Sequence, residues 1–143
     1  MRGSRRRARE DALQVLYQLD MNDTLTPGAA LAHFEKFYNP EQGPLDEFTR
    51  RLVTGVMERL AEVDAAVSKH SEHWRKDRMP AVDRNILRLG AYEIAFCDDI
   101  PATVSINEMV ELAKAFGSEN SPAFINGILD KLRQGLSLPN KAK

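Results

Sequence analysis

The feature that most constrains the fold is the spacing of the apolar residues, which recur at threes and fours in one run after another and show no sustained period-two alternation. An α-helix returns to the same face every three to four residues, so each run describes a helix with one face to bury. Residues 8–19 lay Ala8, Ala12, Leu13, Val15, Leu16 and Leu19 on one such stripe. Thr26-Pro27 supplies an N-cap followed by proline at the first helical position, and Leu31, Phe34, Phe37 and Tyr38 follow, up to a stop near Asn39-Pro40. From Leu45 to about Val67, the residues Phe48, Leu52, Val53, Val56, Leu60, Val63 and Val67 give a long helical pattern, one bent helix or two, with Gly55 as its weak point.

Beyond the polar stretch from Trp74 to Met79, Pro80 opens a run with Val82, Ile86, Leu87, Leu89, Ile94 and Phe96, dense enough to be deeply buried. Ser105-Ile106-Asn107-Glu108 has the form of a capping box, with Val104 and Met109 as its hydrophobic staple. The helix it would start runs through Val110, Leu112, Ala113 and Phe116 and stops at Gly117, a residue suited to a left-handed C-terminal cap. Ser121-Pro122 repeats the cap-and-proline device before Phe124, Ile125, Ile128, Leu129 and Leu132, and Asn126-Gly127 falls inside that helical pattern, not between two strands. The expected fold is all-α, a compact bundle of about six or seven helices. It forms a single domain over residues 1–143, with a basic N-terminal arm over 1–9 and a frayed tail over 138–143.

A chain of 143 residues, 43% of them hydrophobic, suits one core. It has no apolar stretch approaching the roughly 18 residues that span a bilayer, and Cys97 has no cysteine partner, so a cytoplasmic protein without membrane contact or disulfide is expected. Charge is unevenly placed. Residues 1–10 hold five arginines against Glu10 alone, a sum of +4, which leaves −5 for the rest of a chain whose net charge is −1. A basic arm on an acidic domain points to a local polyanion contact. Arg5, Arg6, Arg7 and Arg9 are either a solvated basic terminus or the site of that contact, since guanidinium forks pair with phosphate and stack on unpaired bases, and Tyr17 is either a stacking platform or a core residue with its hydroxyl at the surface.

Nothing in the sequence anchors catalysis. His70 and His73 lack further ligands at metal spacing, Cys97 has no base placed beside it, and no glycine-rich turn leads from a strand into a helix. Asp83, Glu93, Glu108 and Glu111 read as solvated faces or cap partners, so no metal, no cofactor and no enzymatic activity are expected.

Three stretches carry a family resemblance. Arg5-Arg6-Arg7-Ala8-Arg9-Glu10 leads to Leu16-Tyr17, Val82-Asp83-Arg84-Asn85-Ile86-Leu87-Arg88-Leu89-Gly90-Ala91-Tyr92-Glu93 is followed by Ile100-Pro101, and Val104 to Gly117 continues through Ser121 and Phe124 to Lys131. In these the chain resembles the NusB family of transcription antitermination factors over nearly its whole length, least between about residues 20 and 75. The resemblance implies an all-helical, non-catalytic protein that binds the single-stranded boxA element of nascent RNA together with the ribosomal protein NusE, contacting the RNA polymerase elongation complex indirectly and promoting read-through of ribosomal RNA operons. It places further RNA contacts at Lys114, Phe116, Gly117, Ser118, Ser121 and Phe124, with Asn120 departing from the acidic residue of the family pattern. It places the NusE contact on the exposed side of the helix holding Asp83, Arg84, Tyr92 and Glu93, with Glu108 nearby. Two other readings stand beside it, a helical protein–protein adaptor and an accessory domain for an RNA methyltransferase, since the same fold precedes the catalytic domain of certain RNA cytosine methyltransferases. A homodimer is left open.

Overall fold

The computed structural model describes residues 5–38, 43–71 and 79–136, and these hold seven helices and no strand. The chain divides into two compact units, residues 1–58 and 59–143. Asn39-Pro40, most of the polar stretch before Pro80, His73, and the tail over 138–143 lie outside the described residues.

The first unit contains α1 (Arg5–Met21), α2 (Pro27–Phe37) and α3 (Glu47–Glu58). All six apolar residues of the first stripe are buried in α1, which packs on α2 and α3. Thr26 caps α2 as its sequence implies: it is extended (φ −92°, ψ 156°), and its hydroxyl accepts from the Ala29 amide at 3.2 Å, with Pro27 beginning the helix. Of the α2 aromatics only Phe34 is buried. Phe37 and Tyr38 are 62% and 54% exposed, and the Tyr38 ring stacks on Phe34 at 4.6 Å. The Asp46 carboxylate caps α3 by accepting from the Phe48 amide at 2.7 Å, and Glu35 ties α2 to the same end by accepting from the Leu45 amide and from Arg50. In the core of the unit, the Thr49 hydroxyl donates to the Ala8 carbonyl at 3.0 Å.

The second unit contains α4 (Leu60–Lys69), α5 (Ala81–Phe96), α6 (Ala102–Phe116) and α7 (Ser121–Leu136). The long pattern from Leu45 to Val67 is thus two helices, and they part at Arg59, one turn beyond Gly55, which stays buried inside α3. Helix α5 touches α4, α6 and α7, and Gly90 lets it approach closely: a Cβ there would sit 2.5 Å from a Leu129 methyl. With neighbours on three sides, α5 buries Asp83, Arg84, Asn85, Arg88 and Glu93 along with its apolar residues. Each polar group has a partner. Arg88 forks onto Asp64 of α4 at 2.8 and 3.0 Å and reaches Asn85, Arg84 donates to the Met79 carbonyl, and Glu93 accepts from Ser105 of α6 at 2.7 Å.

Three local expectations are corrected here. Helix α6 starts at Ala102, directly after Pro101, so Ser105 lies inside it, fully buried, and the capping box does not form. Pro101 presets φ at −59° and begins the helix earlier, which turns Ser-x-x-Glu into an ordinary i, i+3 pair. The staple is absent too, since Met109 is buried and Val104 is 42% exposed. Gly117 ends α6 at φ −95°, ψ −168°, an extended conformation and not a left-handed one. The glycine answers to space instead: a Cβ would lie 2.6 Å from Ser121 Oγ and 2.9 Å from the Ala113 carbonyl oxygen. Ser121 opens α7 with Pro122 in its first turn, but its hydroxyl turns back to the Ser118 amide at 2.9 Å, and it is the Asn120 carbonyl that accepts from Phe124.

Two stability changes follow. Ser105→Ala should cost about 2 kcal/mol in denaturant melts, more than a lost cap, because it strips a partner from a fully buried carboxylate. In double-mutant cycles Ser105 should couple to Glu93, whereas a capping box would couple it to Glu108. Gly117→Ala should destabilise by roughly 1–3 kcal/mol through overpacking against Ser121, and a left-handed cap would instead tolerate Gly117→Asn nearly as well as glycine.

Candidate nucleic-acid interface

In the first unit, Arg5, Arg6, Arg7 and Arg9 form the opening turns of α1, which has no acidic residue in its first turn. Cations are disfavoured at a helix N-terminus, where the backbone already presents positive partial charge, so three successive arginines there cost stability and concentrate positive potential. Arg5 and Arg6 are exposed and Arg7 is half-buried, whereas Arg9 is buried at 3%. The Arg7 Nε donates to Asp11 at 3.1 Å. Burial pushes the Asp11 carboxyl above its ordinary value, and Arg7 pulls it back.

Sequence reasoning missed the Phe48 ring, which gathers three guanidiniums: Arg5 at 4.2 Å, Arg9 at 5.1 Å and Arg51 at 5.8 Å from its centroid. Arg51 lies three residues along the same helix, whereas Arg5 and Arg9 meet the ring because α3 packs on α1, and no motif spans that separation. Tyr17, 41% exposed, lies eleven residues beyond Arg6. Eleven residues bring a helix back to about the same face some 16 Å along, so Arg6 and Tyr17 form one surface line.

In the second unit, Lys114 and Ser118 are exposed, Phe116 is 40% exposed, Gly117 and Phe124 are half-buried, and Ser121 is buried. They surround the α6–α7 turn beside an open groove of about 280 Å³ lined by Met79, Pro80, Asp83, Ser118, Asn120, Ser121 and Phe124. Apolar walls with a few hydroxyl, amide and carboxylate groups suit a flat, partly polar guest. Ser121 does not face that guest: its hydroxyl donates to Asp83 at 2.7 Å and accepts from the Ser118 amide. Lys114 pairs with Glu111 at 3.2 Å on the surface, a weak tie that leaves its ammonium accessible.

The expected partner face on α5 needs correction in its exposure. Asp83, Arg84 and Glu93 are buried and bonded inward, because the three helices around α5 leave it little outer surface, while Tyr92, whose ring lies 5.8 Å from Phe96, and Glu108 are half-buried. Among the described residues no group of three potential metal ligands occurs. His70 lines a groove with Lys69 and Lys131, whose ammoniums disfavour a cation. Cys97 is buried. No helix among the described residues is long and apolar enough to cross a membrane.

Comparison with known proteins identifies the family. The family model described as "NusB family" matches residues 6–134. The chain is 47% identical to the transcription antitermination protein NusB of Solibacter usitatus, covering 96% of this chain and 93% of the relative, and 45% identical to that of Myxococcus xanthus, covering 96% and 99%. Among solved structures, NusB of T. maritima superposes with a TM-score of 0.80 at 36% identity, covering 94% of this chain and 93% of that one. A complex of the antitermination factors NusB and NusE with double-stranded RNA gives 0.81 at 28% identity, covering 94% and 99%. With a family model spanning nearly all of its helices and relatives of the same length close to half identical, the chain belongs to the NusB family.

Proposed function

We propose that this chain is a transcription antitermination factor that binds boxA-type single-stranded RNA together with the ribosomal protein NusE, works in the cytoplasm on nascent transcripts, and promotes read-through of ribosomal RNA operons without catalysing a reaction. The observation that carries the reading is the arginine cluster at the start of α1, with Arg5 and Arg6 exposed where the helix N-terminus already presents positive partial charge. The names of the relatives and the structure of NusB with NusE and RNA support it. Arg5, Arg6 and Arg7 take phosphates and Tyr17 stacks a base. On the second unit, Lys114 and Ser118 give polar contacts, Gly117 allows close backbone approach, and Phe116 and Phe124 offer ring faces. Arg9 and Ser121, being buried, hold their neighbours in place. For NusE, Tyr92 and Glu108 offer the more accessible groups, and Asp83, Arg84 and Glu93 support them from inside.

Fluorescence anisotropy with a boxA-like RNA, a scrambled RNA and a duplex, with and without NusE, tests this. Preferential binding to the boxA-like strand that tightens with NusE is expected. Equal binding to both single strands would reduce the claim to a basic patch, and no binding would favour a protein–protein adaptor. Four phosphate contacts on a single strand imply a log–log salt slope of about −3, and with Arg9 buried three contacts give about −2. Arg6→Ala should lower the magnitude of that slope by about 0.7 with no loss in the thermal midpoint. Arg9→Ala should lower the midpoint and leave the slope nearly as it was.

A further inference from the structure

The Asp83, Ser121 and Ser118 side chains form one hydrogen-bonded chain running from the interior of α5 to the surface of the α6–α7 turn, and its direction is fixed. A carboxylate only accepts and a hydroxyl has one proton to give. Ser121 spends its proton on Asp83 Oδ1 at 2.7 Å, so the Ser121 oxygen can only accept from its other neighbours. It takes the Ser118 amide at 2.9 Å, and the Ser118 hydroxyl, 3.1 Å away, must be the donor in that contact. Asp83 and Ser121 are 7% and 1% exposed, whereas Ser118 is exposed. Gly117 completes the arrangement, because any Cβ at that position would displace the Ser121 hydroxyl.

Resting on the RNA-binding reading above, we infer that Asp83 is a positioning residue for RNA recognition: acting through Ser121, it sets the backbone of the turn and orients the Ser118 hydroxyl so that its outward lone pairs accept from a donor on the RNA. Asp83 thus serves the RNA side of the molecule from within, and Ser121 reaches the RNA only through Ser118. Four features point the same way. The Asp83–Ser121 bond is short at 2.7 Å, the two inner residues are buried, the glycine is required by space, and Asp83 and Ser118 line the same groove.

The test uses the full chain without NusE, so that any effect on the protein partner is excluded, and compares Asp83→Ala, Asp83→Asn, Ser121→Ala and the double variant Asp83→Ala/Ser121→Ala. Affinity for the boxA-like RNA is read well below each thermal midpoint. Each alanine variant should bind about tenfold more weakly, the double variant no worse than either, because residues of one network are not additive. The salt slope should not change, since the phosphate contacts remain. Asp83→Asn keeps an oxygen that accepts from Ser121 and should retain most of the affinity. In Asp83→Ala the Ser118 amide, on a different element, should exchange its hydrogen faster. Unchanged affinity with a lowered midpoint, or losses that add, would overturn the inference. Wild-type protein with no preference for the boxA-like strand would instead remove the reading beneath it.

Discussion

The second unit depends on how α5 disposes of its charge. A helix covered on three sides would ordinarily be apolar, yet α5 buries two arginines, an asparagine and two carboxylate residues. Desolvating such groups costs several kcal/mol each unless partners replace water. The replacement here is almost stoichiometric. Arg88 meets Asp64 of α4 as a bidentate fork, Glu93 meets Ser105 of α6, and Asp83 meets Ser121 of α7, so each surrounding helix is joined to α5 by a polar contact of its own. Among the described residues no buried side-chain nitrogen or oxygen lacks a partner. Apolar packing alone tolerates sliding by a fraction of a turn. A bidentate fork does not, and three polar ties in three directions leave the four helices with one register.

The first unit uses charge in the opposite way. Its arginines sit where the helix end already repels them, and the partial relief comes from Phe48, whose ring face lies under Arg5, Arg9 and Arg51, and from Asp11 beneath Arg7. These contacts hold the Arg5 and Arg7 guanidiniums against the domain. Preorganised cations of this kind lose less side-chain entropy on meeting phosphate than arginines on a flexible arm would.

Most of the helices were legible because burial imposes a period. The α1 stripe, the Thr26 cap and the dense α5 run follow from spacing and from proline placement, and so does a count of six or seven helices, of which the described residues hold seven. What the sequence misstated was local and polar. Ser105-x-x-Glu108 fits a capping box in every residue, but Pro101 had already begun the helix, and a four-residue pattern cannot report a start three residues upstream. Gly117 was read for its freedom of φ when the fold required its lack of a side chain, a demand made by Ser121 across the turn. The charged residues of α5 were assigned to an outer face because charge usually lies there, and only the three packed neighbours reveal otherwise. Phe48 as a platform for arginines was invisible, since two of its three partners, Arg5 and Arg9, come from another helix. The helices were therefore legible in the sequence, while which of their side chains face outward depended on tertiary packing.

This division bears on how a binding surface achieves selectivity. Phosphate contacts position a strand but carry no sequence information, whereas base contacts require donors and acceptors held in fixed orientation. A serine on an exposed turn rotates freely and accepts or donates as its neighbour demands, which makes it a poor discriminator. Tying Ser118 through Ser121 to a buried carboxylate removes that freedom and assigns the outward hydroxyl one role. The same carboxylate sits on the helix that organises the whole second unit, so the geometry of the turn inherits the rigidity of the core. The polar residues of α5 therefore link packing to recognition: the contacts that fix helix register also decide which way a surface hydroxyl points.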